Sequence, residues 1–218
     1  METFLVSKVS VLYLRQIFKQ MKEKIIAKAS SLFLKIGFKS VTMDDIANEM
    51  CISKKTIYKY FCNKEILIEE ITETGLKQIN ETIAKIVAKN HNAIEENFEI
   101  IKMFKEMFNS IETSPSYQLK KHYPEIYQKL TSKSISECTV LFQQNVEKGI
   151  REGLYRPELN IANYVIFYYA LIANINETIS SEKEAKKLEL EALEYHIRAM
   201  ATPKGIVELE KHLKTPHQ

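Results

Sequence analysis

The sequence predicts an all-α protein of about nine to ten helices, and three observations predict it. Glycine and proline occur only five times each in 218 residues, too few breakers for a turn-rich β fold. Lys, Glu, Ile, Leu and Ala dominate the chain, and most of these are good helix formers. Apolar residues recur every three to four positions, whereas β-type alternation is missing at any useful length. With 45% hydrophobic residues, the chain can bury one sizeable core, or a small domain joined to a larger one.

The first clean helical pattern runs from about Met21 to Ile36, with Ile25, Ala29, Leu32, Phe33 and Ile36 on one face. Gly37 ends it, as glycine does where the chain turns left-handed. Thr42 opens a second, short helix carrying Ile46, Ala47 and Met50. Asp45, three residues on, makes a near capping box, and Asp44 and Asp45 suit the positive helix N-terminus. Ser53 caps a third helix from Lys54 to about Tyr60, and Asn63 caps a fourth from Lys64 toward Lys89. Leu67, Ile71, Ile79, Ile83 and Ile86 share one side of the fourth, and Gly75 is a candidate bend.

Larger amphipathic helices follow. One spans about Asn92–Ile111, carrying Ile94, Phe98, Ile101, Phe104, Phe108 and Ile111. Thr113–Ser116 breaks it, and a short helical piece reaches His122. Pro124 suits a first-turn position and starts a helix to about Glu152, which Gly153 ends. Residues 160–180 are apolar over much of the circumference, so that helix is expected to be buried on more than one face. A helix over Glu182–Met200 comes next, then a tail after Pro203 with a short helical pattern over Ile206–Leu213, beyond which the chain is expected to fray.

The stretch that carries function is Thr42–Lys64. Two short helices joined by a tight turn, the second capped by Ser53, describe a helix-turn-helix. Ile46, Ala47, Ile52, Ile57 and Phe61 lie where its helices pack on each other and on the first helix. The second helix then presents Lys54, Lys55, Thr56, Tyr58, Lys59 and Tyr60, a dense set of phosphate donors and base-edge readers. Because a recognition helix enters the major groove by its N-terminal end, Lys54, Lys55 and Thr56 are the candidates for base contacts. Tyr58, Tyr60 and Lys64 suit phosphates, Lys64 opening a helix whose amides also meet an anion. Thr42 joins the DNA-facing set. Charge agrees: residues 21–68 hold nine lysines against five acids, net +4, in a chain whose total is +3. A basic end on a near-neutral body suits a polyanion partner for that end.

These residues resemble the DNA-binding domain of the TetR (tetracycline repressor) family over 24–71. The resemblance is carried by Ala29, Leu32–Phe33, Gly37, Thr42, Ile46–Ala47, Ile52–Ser53, Thr56–Ile57–Tyr58, Tyr60–Phe61, Lys64–Glu65 and Leu67. Residues 149–159, GIREGLYRPEL, resemble a loop common before the family's penultimate long helix. Two positions depart. Cys51 stands where the family's turn usually has Gly or Ala, and Lys55 replaces a small residue early in the recognition helix. The resemblance implies an N-terminal three-helix DNA-binding domain followed by an α-helical ligand-binding and dimerisation domain. It implies a homodimer through about residues 160–200, a palindromic double-stranded operator and a small-molecule effector that releases it. Regulation is then most often repression. The domain organisation read from this is residues 1–20 as an extension, 21–68 as the helix-turn-helix domain and 69–218 as the regulatory domain. The extension reflects either a start codon assigned upstream of Met21 or a genuine N-terminal helix that packs or touches DNA.

Phe98, Phe104, Met107, Phe108, Phe142, Tyr164 and Tyr168 are candidates for an effector pocket, set against the plainer reading that such residues are core. No cofactor and no metal is expected: the five histidines (91, 122, 196, 212 and 217) form no HExxH or paired site, and Cys51, Cys62 and Cys138 form no CxxC. The odd cysteine count fits a reducing cytoplasm. No run approaches the roughly 18 apolar residues of a membrane span. No enzyme is expected, since the chain has no Gly-rich phosphate loop, no G-x-S-x-G elbow and no paired-carboxylate motif. The competing reading is a helical adaptor that uses its helix-turn-helix for protein contact.

Overall fold

The computed structural model describes residues 2–109 and 111–214, with the side chains of residues 16–109, 111–137 and 139–214. Among them the chain forms α1 (Glu2–Ile36), α2 (Met43–Glu49), α3 (Lys54–Tyr58), α4 (Lys64–Val87), α5 (Ala93–Met107), α6 (Pro115–His122), α7 (Pro124–Arg151), α8 (Ile161–Thr178), α9 (Glu182–Met200) and α10 (Pro203–Lys214). They divide into two compact units, Met1–Thr74 and Gly75–Gln218, so that the division falls inside α4.

Local signals account for most ends. Asn92 caps α5 through the amides of Ile94 and Glu95, Ser114 caps α6 with Pro115 in its first turn, and Gly37 and Gly153 take positive φ just past α1 and α7. Four expectations are corrected. α1 begins at Glu2 instead of Met21, because no glycine, proline or N-cap interrupts residues 2–36. α3 stops at Tyr58, and beyond it Tyr60 N–H bonds the Ile57 carbonyl, a tighter turn. α5 stops at Met107, because Phe108 leaves the helical region with φ −111 and ψ 17. Ile36, expected on the buried face of α1, is 55% exposed in its last turn.

In the first unit, Ile25, Ala29 and Phe33 of α1 are buried together with Phe38, Ile46, Ile57, Phe61, Leu67 and Ile68, and Phe33 stacks on Phe38 at 5.3 Å. Each large side chain removed from water contributes about 1.5–3 kcal/mol. In the second unit the core joins Ile94 and Phe98 of α5, Val146 of α7, Leu154 and Tyr155 of the turn after α7, Leu193, Ile197 and Met200 of α9, and Leu209 of α10. The helical pattern expected over Ile206–Leu213 is part of α10, which docks on this core, helped by Asn92 Nδ2 donating to Glu208 at 2.9 Å; the fraying expected beyond it lies outside the described residues. Beside this core lies a matched polar cluster. Asn97 donates to Asn145 and to the Ala93 carbonyl, while Asn145 donates to Glu96, which pairs with Lys148 at 2.8 Å.

Candidate nucleic-acid interface

The helix-turn-helix is held from both ends. Thr42 accepts from the Asp45 amide at 3.1 Å, and its own amide donates to Asp45 Oδ2 at 2.8 Å, completing the capping box. These bonds hold the Asp45 carboxyl below its ordinary range, through the side chain and then the backbone of Thr42. Ser53 Oγ accepts from the Thr56 amide at 3.1 Å and starts α3. Between the caps the chain turns at Cys51, with φ +53. The turn closes with Cys51 N–H on the Asn48 carbonyl and Ile52 N–H on the Ala47 carbonyl, both 3.0 Å. Ile46, Ala47 and Ile57 are buried beneath, so the orientation of α3 follows from packing.

The opposite face of α3 is basic and solvent-facing. Lys54, Lys55 and Lys59 are exposed, Tyr58 is 42% exposed and Thr56 is half-buried. Lys54 Nζ donates to Asp44 Oδ2 at 2.7 Å, which raises its pKa, and it lies 6.0 Å from the Tyr58 ring. Thr42 is exposed, with its hydroxyl on Asp45 at 2.7 Å. Tyr60 is stacked on Phe18 of α1 at 4.2 Å. Lys64 is drawn inward: Nζ donates to the Lys39 carbonyl at 3.2 Å, lies 5.6 Å from the Phe33 ring, and has its pKa lowered chiefly by burial. Of the eight sequence candidates, Thr42, Lys54, Lys55, Tyr58 and Lys59 are exposed, and Thr56, Tyr60 and Lys64 are half-buried. Asp44, Lys39 and Phe18 were missed as partners, since no local pattern couples residues 10, 25 and 42 positions apart.

Residues 25–71 match the sequence model of the bacterial regulatory proteins of the tetR family. Residues 25–71 belong to the tetR family of bacterial regulatory proteins. Among the relatives is the HTH-type transcriptional regulator YhgD of Bacillus subtilis, 28% identical over 163 residues, or 69% of this chain and 82% of that protein. IcaR of Staphylococcus aureus, an HTH-type negative transcriptional regulator of the biofilm operon icaADBC, is 28% identical over 112 residues. That alignment covers 51% of this chain and about half, 54%, of IcaR. A transcriptional regulator of Cytophaga hutchinsonii shares the fold at TM-score 0.68 and 17% identity, covering 83% of this chain and 98% of that one. A TetR-family regulator of Agrobacterium tumefaciens does so at 0.67 and 13%, covering 84% and 99%.

In the second unit, the seven pocket candidates fall in three places. Phe98 is core, stacked on His212 of α10 at 4.9 Å. Phe104 and Phe108 stack at 6.4 Å, Lys186 of α9 lies 5.6 Å from the Phe108 ring, and neighbouring Met107 is 42% exposed. Phe142, Tyr164 and Tyr168 converge on His196 of α9, which the sequence did not single out. Among the described residues no group of three or more His, Cys, Asp or Glu is disposed to hold a metal, and no helix is long and apolar enough to cross a membrane.

Proposed function

We propose that this TetR-family regulator is a dimeric, effector-responsive repressor. The observation that carries its DNA contact is the solvent-facing basic side of α3, with Lys55, Tyr58 and Lys59 over a buried helix-turn-helix core. Two such helices, one per protomer, enter successive major-groove turns of a palindromic operator. Lys54, Lys55 and Thr56 stand nearest the bases, while Thr42, Tyr58, Lys59, Tyr60 and Lys64 serve the phosphates.

The dimer is read from α8 and α9, within about residues 160–200. Ile166, Phe167 and Leu171 of α8 are 62%, 57% and 37% exposed, and Tyr195 of α9 is 68% exposed. An apolar surface of this kind on a long helix marks an interface, and a second copy of the same helix pair covers it isologously. The cytoplasm is the compartment proposed. Repression is the sign favoured by the relative IcaR, a negative regulator by name. Effector and operator then weaken each other reciprocally, as two-state coupling requires.

The test is a gel shift of the full chain on its own upstream DNA across a salt series. A specific complex whose log affinity falls with log salt at about −0.9 per phosphate contact supports the reading. A salt-independent response with no DNA complex supports the adaptor instead.

A further inference from the structure

We propose that the cluster formed by Phe142 of α7, Tyr164 and Tyr168 of α8, and Glu189 and His196 of α9 binds an organic cation, a quaternary ammonium or protonated amine with an apolar body. The inference rests on the effector reading above and assigns the chemistry of the effector.

Three aromatic rings surround one point of α9. The His196 ring lies 4.8 Å from Tyr168, 5.3 Å from Phe142 and 5.9 Å from Tyr164, centroid to centroid, and Phe142 stacks on Tyr168 at 5.0 Å. The negative π-faces of such rings attract a cation, and more strongly away from water. His196 is 3% exposed, and its Nε2 has no hydrogen-bond partner. A buried polar atom left unmatched is costly; the N–H of a protonated amine satisfies it where Nε2 accepts, whereas a quaternary ammonium engages the rings alone. Burial pushes the imidazole down to about 4, so His196 is neutral near pH 7 and does not compete with a bound cation.

Glu189 supplies the charge. It lies seven residues before His196, two turns along one face of α9 and about 10 Å away. Its charge acts on Tyr168, which places its field inside the ring cluster. Its carboxylate accepts from Asn176 Nδ2 of α8 at 3.0 Å. The charged groups acting on it are Glu182 and Lys186, both on α9, and Lys105 of α5 bears in turn on Lys186. Lys186 is shared with Glu182 at 3.7 Å, so compensation at Glu189 is incomplete and burial raises it to about 7. A cation beside it supplies the missing charge. A ligand carboxylate meets the same field with the wrong sign.

The test uses the full chain, with tyrosine fluorescence or calorimetry as the readout. The probes are benzyltrimethylammonium, its neutral isostere neopentylbenzene, and benzoate. The cation is expected to bind at least tenfold more tightly than either comparator. Its affinity rises about tenfold from pH 6 to pH 8, because binding selects the ionised form of Glu189. Glu189→Gln abolishes that rise and weakens the cation about tenfold while leaving the isostere unchanged. Tyr164→Leu, which removes one aromatic face but keeps an apolar side chain, weakens the cation several-fold while leaving the isostere unchanged. Equal binding of cation and isostere, a flat pH response, or no cation binding at pH 8 overturns the proposal. Operator release is measured on the same samples. A cation that binds without releasing DNA removes the effector reading and leaves the site. DNA release by a molecule of another class, with no cation bound, removes the site and leaves the effector reading.

Discussion

Replacing Glu189 by Gln should make stability depend on pH in a way the parent protein hides. Glu189 has its carboxyl raised from an ordinary 4.5 to about 7, first by burial. The folded state therefore holds a proton that the unfolded chain has lost between these values, and stability falls as pH rises through that window. The slope is about 1.4 kcal/mol per pH unit, so the full effect is about 3 kcal/mol above pH 7. His196 works the other way. Its imidazole is lowered from 6.5 to about 4 by burial, so the unfolded chain binds the extra proton and stability rises with pH over that range. Between about 4.5 and 6.5 the two slopes oppose each other and nearly cancel. Glu189→Gln removes one of them. Urea unfolding of parent and variant from pH 3 to pH 8 should give a difference that is constant below about pH 4.5. It should then grow by about 1.4 kcal/mol per unit in favour of the variant and level off near 3 kcal/mol above pH 7. A difference that does not move with pH refutes the burial of that carboxyl and the reasoning built on it.

Further outcomes follow from other positions. On DNA, Lys59→Ala should lower affinity for all sequences and cut the log–log salt slope by about 0.9, whereas Lys55→Ala should also change preference among operator variants; binding curves on a panel of sites separate the two. Gly149→Ala should cost more than about 2 kcal/mol in thermal unfolding, since a Cβ there would lie 2.1 Å from the Tyr155 ring, itself fully buried. Cys51→Gly should stabilise the first unit by up to about 1 kcal/mol by relieving the left-handed backbone, and an unchanged or lower melting temperature would count against strain at that turn. Phe167→Asp should turn the dimer into a monomer in sedimentation while leaving the helical signal intact, because the residue is 57% exposed and contributes little to its own protomer.

How far the chain explains itself differs between its parts. The helix-turn-helix was legible because its signals are local. Thr42 with Asp45, Ser53 with Thr56 and Asn63 with Ile66 each cap a helix across three residues, and Gly37 and Gly153 stop helices by their own backbone freedom. Bonds of that kind form wherever the residues occur, so composition and spacing reveal them. The interior of the second unit was not legible. Glu96, Asn97 and Asn145 look like surface positions in sequence, yet they are buried and matched to one another across 48 or 49 residues.

The sequence by itself thus determined the all-α class, most helix ends and the basic character of α3, all of which depend on residues within a turn or two of helix. The tertiary structure decided which residues of that surface are already engaged within the protein. Lys54 is held by Asp44, Lys64 is turned inward to the Lys39 carbonyl, and Tyr60 is covered by Phe18. It also decided that His196 and Glu189 titrate far from their ordinary ranges. The physical reason is the same in each case. A side chain's partners and its distance from water are set by helices that meet in space, and their meeting is encoded in no short window of the chain.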